Sequence, residues 1–474
     1  MLPEVALLEI FDFYVHDEFW GGLCNVWHNL VHVCRKWRNV VFGSPGRLDL
    51  RLYCTSRTPV KKTLGVWPPL PIVLTIGVYD GLHPDAEENI VAALEHNDRI
   101  CQLKLTLFPF EKVLAAMQQP FPELKYLSLE FRQEFGRNLS LQPMPVPPPM
   151  PDGEIAPVDA DSFLGGSAPP QLQRLGLFHI PCPGLPKLLF SATHLVHLTL
   201  YDIPDSGYIS PEAMVASLST LIRLQTLTIR FKSPRSRPDR RHPPRPTRTL
   251  LPVLTDFHFD GVSEYLEDIV AGIDAPLLDN LRITFFNQLL FDTPRLSQFI
   301  SRIPKFKAYD EARVMTVTPF DSVVSVSTFD KKLDLTIRCR QLDWQLSSLA
   351  QVCSSSFPQT LISTVEHLYV EDEPYPPRGP EDVESSQWLE LLHPFTAVKH
   401  LYVHPTLMPS IVPALQELVG ERATEVLPML QALFLGKFPS KPVQQAIEMF
   451  VAARNFAGHP IAVSRWQSNR HFYD

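Results

Sequence analysis

The chain has 474 residues, a net charge of −8, and 45% hydrophobic against 20% charged residues. That balance supplies a large core, excludes wholesale disorder, and argues against a nucleic-acid binder with a strong positive field. Its 47 prolines are roughly twice average usage, which predicts many short, punctuated elements.

The first residues form a unit of their own. LPEVALLEIFDFYV sets Val5, Leu8 and Phe11 or Asp12 at helical spacing, widened by Leu7, Ile10 and Tyr14, and Pro3 suits a first turn. After HDEFWGGLCNVWHN, the stretch LVHVCRKWRNVVFG predicts one helix with Leu30, Val33, Cys34, Trp37 and Val41 on a single face. Gly43 and Pro45 end it. On this spacing Cys34 is a buried structural thiol, although His32, Arg35 and Lys36 lie near it in sequence. A unit this short carries more apolar surface than it can hide, so it is expected to dock on a partner. Glu4, Glu9 and the lack of a basic start argue against a signal peptide. No apolar run nears the ~18 residues of a membrane span. The seven cysteines form no C-x-x-C pair, as expected of reduced thiols in the cytoplasm or nucleus.

From residue 100 onward one pattern recurs: apolar, two of any kind, apolar, one of any kind, apolar. Leu124-Leu127-Leu129, Leu172-Leu175-Leu177, Leu195-Leu198-Leu200 and Leu224-Leu227-Ile229 carry it, and copies start at 100, 124, 172, 195, 224, 254, 278, 365, 398 and 430. Most gaps are 23 to 33 residues, and the gap of 87 is three times 29. The internal period of two predicts a strand with one buried face. Helical stretches intervene: PDAEENIVAALEH, WQLSSLAQVC, SQWLELL, KPVQQAIEMFVAARNF, and two opened by Ser210-Pro211 and Thr293-Pro294 as cap and first-turn proline. Strand then helix at this period is the leucine-rich-repeat signature. The asparagine that usually bonds the turn is replaced by Arg132, Ile180, Ile203, Lys232, Val262 and Phe286, which predicts an irregular array. Residues 306–340 read instead as consecutive strands, a hairpin inserted in the array.

Two biased stretches interrupt the repeats. Residues 142–170 are proline-rich and read as an exposed, disordered loop and polyproline ligand. Residues 232–248 hold seven Lys/Arg and one Asp, a disordered basic insertion with the composition of a nuclear-localisation or anion-binding patch.

Strand alternation puts the third, fifth and seventh motif positions on the outward sheet face. The substrate-surface candidates there are Phe178, Tyr201, Arg230, His258, Arg282, Tyr369 and Tyr402, since aromatics and arginines anchor interfaces. Asp260, His367, His400 and His404 share that face. His400 and His404 are about 13 Å apart along one strand, and His367 with His400 makes only two ligands, so no metal is expected. No phosphate loop, nucleophile elbow or H-E-x-x-H occurs, which argues against an enzyme or a cofactor.

LPEVALLEIF followed by LVHVCRKWRNVV and Pro45 resembles the F-box, with its Leu-Pro, its Leu/Ile/Phe helix and its Val-Cys-x-x-Trp. The order F-box, then degenerate leucine-rich repeats, resembles the expanded F-box families of mushroom-forming fungi. FNQLLFDTPRLSQFISRIPKFKAYDEARV and CRQLDWQLSSLAQVCSSSFP are similar to their repeats. The resemblance implies an α/β chain: a helical F-box over 1–46, then over 47–474 an irregular leucine-rich-repeat solenoid with a curved parallel sheet. It further implies a non-catalytic substrate-recognition adaptor of a Skp–cullin–F-box ubiquitin ligase. Leu2, Pro3, Leu8, Ile10, Phe11, Val33, Cys34 and Trp37 would bind the Skp-type adaptor, and through it cullin, while the repeats hold a protein substrate. The alternative is a ligase-independent scaffold.

Overall fold

Alternation of apolar residues decides which face of each strand is buried. The fourth and sixth motif positions of all ten copies are at most 4% exposed, and the first positions at most 2%. The structure is a computed structural model and describes residues 2–16, 27–77, 85–107, 111–131, 157–233, 248–286, 288, 290–306, 311–318, 323–328, 333–338, 342–374, 384–436 and 440–466. The described chain divides into two compact units, Met1–Ile209 with Ala216–Leu224, and Ser210–Val215 with Gln225–Asp474.

In the first unit, strands β1 (Leu52–Cys54), β2 (Ile72–Ile76), β3 (Ile100–Leu107), β4 (Tyr126–Phe131), β5 (Arg174–Phe178) and β6 (His197–Ile203) pair in sequence order, all parallel. Three helices precede them: α1 (Glu4–His16), α2 (Trp27–Val33) and α3 (Arg35–Gly43). The second unit contains β7 (Thr226–Phe231), β8 (Thr249–Leu250), β9 (Asp256–Gly261), β10 (Ile273–Asp274), β11 (Asn280–Phe286), β12 (Glu311–Thr318), β13 (Val323–Thr328), β14 (Leu333–Arg338), β15 (His367–Pro374), β16 (His400–Val403), β17 (Ala432–Leu435) and β18 (Ala462–Arg465). Its sheet runs β7-β9-β11-β14-β13-β12-β15-β16-β17-β18, and β8 pairs with β10 apart from it.

The hairpin expected over 306–340 is a three-stranded meander. β12, β13 and β14 are antiparallel to one another, while β14 runs parallel to β11 and β12 parallel to β15. An odd number of inserted strands restores the direction of the array, so the parallel ladder resumes without a break. The 87-residue gap is therefore filled by one meander and its flanking helices, not by three concealed repeats.

Without the asparagine ladder, the turns are held otherwise. Just past β5 the chain passes through His179 (φ 60°), and in the last residues of β6 through Asp202 (φ 51°); the residues that follow each, Ile180 and Ile203, are buried. At the strand entries a backbone ladder takes over. The Lys125 carbonyl accepts from the N–H groups of Gln173 and Arg174, and the Gln173 carbonyl accepts from those of Val196 and His197. Gln225, Thr255, Glu366 and Lys399 repeat this in the second unit. Each strand–helix step thus buries its leucines, worth about 1.5–3 kcal/mol apiece, only against its neighbours.

The intervening helices form where the sequence predicts them, including Ala86–Leu94, Pro211–Leu218, Leu342–Ser356, Ser385–Leu392 and Lys441–Phe456. Ser210 Oγ accepts from Ala213 N at 3.2 Å, as a cap should. Thr293 does not cap Pro294–Arg302; its hydroxyl contacts Ser355 and Ser356. Glu267, from the preceding repeat, accepts from Arg295 N at 3.0 Å and Leu296 N at 2.6 Å instead.

Two further expectations are corrected. The single helix across Cys34 is broken: Cys34 has extended backbone (φ −161°, ψ 169°) and separates α2 from α3, so Val33 and Cys34 are exposed, while Leu30, Val31, Val40 and Val41 are buried. The stretch 142–170 is not an open loop over its described part, 157–170. Phe163 and Leu164 are 3% and 1% exposed, and Leu164 N donates to Met117 O at 2.9 Å. The turn needs glycine, because a Cβ on Gly166 (φ +78°) would lie 2.6 Å from Asp161 O. Residues 17–26, 132–156 and 234–247 lie outside the described residues, and with them most of both biased stretches.

Candidate functional site

Helix α1 buries one apolar face and exposes further apolar side chains on the opposite one, where they flank Glu9, which pairs with Arg47. Leu7, Leu8 and Phe11 face the interior at 3%, 7% and 0% exposure, whereas Leu2, Val5, Ile10 and Phe13 stand 50–77% exposed on the other side. An amphipathic helix buries one stripe and wets the other; an exposed second apolar stripe is the mark of a docking face. Phe11 packs against Trp37 with ring centroids 4.8 Å apart, tying α1 to α3. Lys36 Nζ donates to Leu2 O at 2.8 Å, which brings the head of α1 to the start of α3, next to Val33 and Cys34. Of the eight predicted Skp-binding residues, Leu8 and Phe11 are therefore core and Trp37 is half-buried core. Leu2, Pro3, Ile10, Val33 and Cys34 are exposed. Val5 and Phe13, equally exposed, belong with them, and helical periodicity from Leu2 and Ile10 already points at both.

The helices are also tied to the first strand region. Trp27 is 2% exposed, donates from Nε1 to Arg51 O at 2.9 Å, and packs edge-on to Trp67 at 5.2 Å. His28 stacks on Trp67 at 4.5 Å. Burial, with His32 adding to it, pulls the His28 pKa down to about 4, so its imidazole is neutral at physiological pH.

The outward sheet face gathers the predicted surface residues into three groups. In the first unit Phe178 and Tyr201 are adjacent at 5.6 Å on β5 and β6. In the second unit, Arg230, His258 and Arg282 lie on β7, β9 and β11, with His258 level with Arg282. Asp260, on the outward face as expected, is 1% exposed beneath Arg230 (3.1 Å) and Arg338 (3.4 Å). Arg230 is thus spent on an internal ion pair, and Arg282 is the exposed cation of the group. Burial, reinforced by Arg282, Arg230 and Arg338, lowers the His258 pKa.

The third group is a run of rings across β15, β16 and β17. Tyr369 stacks on Tyr402 at 4.3 Å, and Tyr402 stacks on Phe434 at 4.5 Å. One step toward the strand starts, His367 stacks on His400 at 4.5 Å. Trp466, just past β18, reaches back to 5.7 Å from Tyr402 and 6.0 Å from Tyr369. Register causes this: His367 is level with His400, and Tyr369 with Tyr402 and Phe434. Phe434 sits at the fifth position of its motif copy, so the alternation rule covers it; Trp466 follows a strand that lacks the leucine motif and gives no such signal. Half-buried stacked rings with polar tips have the composition of protein-recognition anchors.

Among the described residues no three His, Cys, Asp or Glu side chains converge as a metal site, and no helix is long and apolar enough to cross a membrane. Burial pushes the thiols of Cys182 and Cys353 up to about 12 and that of Cys54 to about 11, the opposite of reactive cysteines.

Comparison with protein-family profiles and with curated protein sequences finds no match. Among solved structures, the chain is similar to the leucine-rich repeat-containing protein LegL7 from Legionella pneumophila, at 14% identity over 78% of this chain and 96% of that one, with a TM-score of 0.30. The strand–helix repeat described here rests on its own register and burial.

Proposed function

We propose that the chain is a non-catalytic adaptor of a Skp–cullin–F-box ubiquitin ligase. Helices α1–α3 dock the Skp-type subunit through Leu2, Val5, Ile10, Phe13 and Val33, and the outward sheet face holds a protein substrate. The observation that supports this most is the second apolar stripe of α1, open to solvent on a helix already anchored by Leu8 and Phe11. Docking an apolar helix face into a partner's groove removes just such a stripe from water. The F-box resemblance of residues 1–46 supplies the partner. This adaptor works in the cytoplasm or nucleus and needs no cofactor.

A ligase-independent scaffold is the second reading. The ties of Trp27 to Arg51 and Trp67 favour it, because they suit helices that merely cap the first strands. Purification of the tagged chain from proteasome-inhibited cells separates the two. The adaptor reading expects a Skp-type protein, cullin and ubiquitinated cargo, all but the cargo lost with Ile10→Asp plus Val33→Asp. Cargo alone, unchanged in that variant, would leave the scaffold reading standing.

A further inference from the structure

The helix side of the second unit holds a cleft of about 710 Å³, built from side chains of Leu342–Ser356, Ser385–Leu392, the approach to Pro294–Arg302, and the turn after Gly420–Thr424. Its size falls in the range of ligand pockets, about 300–1,000 Å³. The floor is apolar, with Phe291, Leu389 and Val426 at 5%, 9% and 3% exposure. At the mouth Leu290 is 78% exposed and extends the apolar lining of Phe291 and Leu389 out to the surface.

The rim is acidic. Arg422 Nε meets Glu425 Oε2 at 2.6 Å, so that pair cancels. Asp292 and Glu390 remain as exposed carboxylates outside any ion pair among the described residues. An apolar floor under a rim of two unmatched negative charges suits an occupant that is apolar at its centre and cationic at its ends. The cleft is lined from the helices, whereas the substrate candidates stand on the sheet.

We propose that this cleft is a second docking site, for a basic peptide segment of a partner protein that carries an aliphatic or aromatic anchor. The anchor covers Leu290 and fills the floor over Phe291 and Leu389, and Lys or Arg on either side meets Asp292 and Glu390. The charges at the rim are solvated, so binding is salt-sensitive and suited to exchange.

A phage-displayed library of random dodecapeptides, panned on the full chain, tests this. Enriched clones should pair Lys or Arg with Leu, Ile, Phe or Trp. Their recovery should fall at least tenfold on Leu290→Asp and on Glu390→Lys, and stay unchanged on Tyr402→Ala. Circular dichroism melts establish that each variant is folded, and Glu390→Gln serves as the milder charge change. Enrichment of acidic or uncharged clones, loss on Tyr402→Ala, or recovery indifferent to both Leu290 and Glu390 would overturn the proposal.

Discussion

Tyr402 lies face to face with Tyr369, ring centroids 4.3 Å apart and planes 10° from parallel, because their strands are level at that position. Phe434 continues the stack and Trp466 closes on it from the side. Such aromatic pairs add about 0.5–1.5 kcal/mol each beyond area burial. Tyr402→Ala should therefore lower stability by about 1–3 kcal/mol, and Tyr402→Phe by much less. Urea denaturation followed by tryptophan fluorescence measures both. If the stack is the substrate anchor, Tyr402→Ala also lowers cargo recovery under conditions where the protein remains folded.

His28 makes stability depend on pH. Its folded pKa of about 4 lies below the ordinary value of about 6.5. The unfolded chain therefore takes up the proton first as pH falls. The contribution of neutral His28 is complete above about pH 6.5 and is lost on the way down toward 4. Stacking on Trp67 would favour the cation, yet the burial of the ring outweighs it. The loss of melting temperature between pH 7 and pH 4.5 should be smaller in His28→Phe than in the wild type; equal losses would assign the acid sensitivity to other groups.

Arg454 is 0% exposed and donates from its guanidinium to the carbonyls of Ala423 (2.9 Å), Leu427 (3.4 Å), Pro428 (3.3 Å) and Leu430 (3.1 Å). It ties the last long helix to the turn leading into β17. Burial lowers its pKa, and the four carbonyls compensate for the buried charge. Arg454→Met leaves those acceptors without their donor and should cost about 2–4 kcal/mol. Arg454→Lys keeps the charge but loses the planar fork, so it should recover only part of that. Differential scanning calorimetry of the three proteins orders them.

Local chemistry written in contiguous residues was legible in the sequence. Each leucine motif became a strand with its fourth and sixth residues buried, and the helix spacings held, because alternation and 3.6-residue periodicity act within a few positions. β1 and β2 escaped notice: LYC ends on cysteine, and IVLTI is a continuous apolar run with little alternation. The break at Cys34 was hidden because apolar spacing runs straight through it. Long-range partners were hidden for a different reason. Nothing near Thr293 announces that Glu267, a full repeat earlier, takes over its cap, and nothing near Asp260 announces Arg338. In the leading helices, the sorting of the apolar residues into core (Leu8, Phe11, Trp37) and surface (Leu2, Ile10, Val33) needed the packing of α1 on α3.

The most direct measurement is the affinity of the purified full chain for a purified Skp-type adaptor by isothermal titration calorimetry. Saturable one-to-one binding is predicted, weakened at least a hundredfold by Ile10→Asp and by Phe13→Asp and unchanged by Tyr402→Ala. Absence of heat at micromolar concentration, or binding indifferent to Ile10 and Phe13, would contradict the assignment of the leading helices as the ligase-docking element.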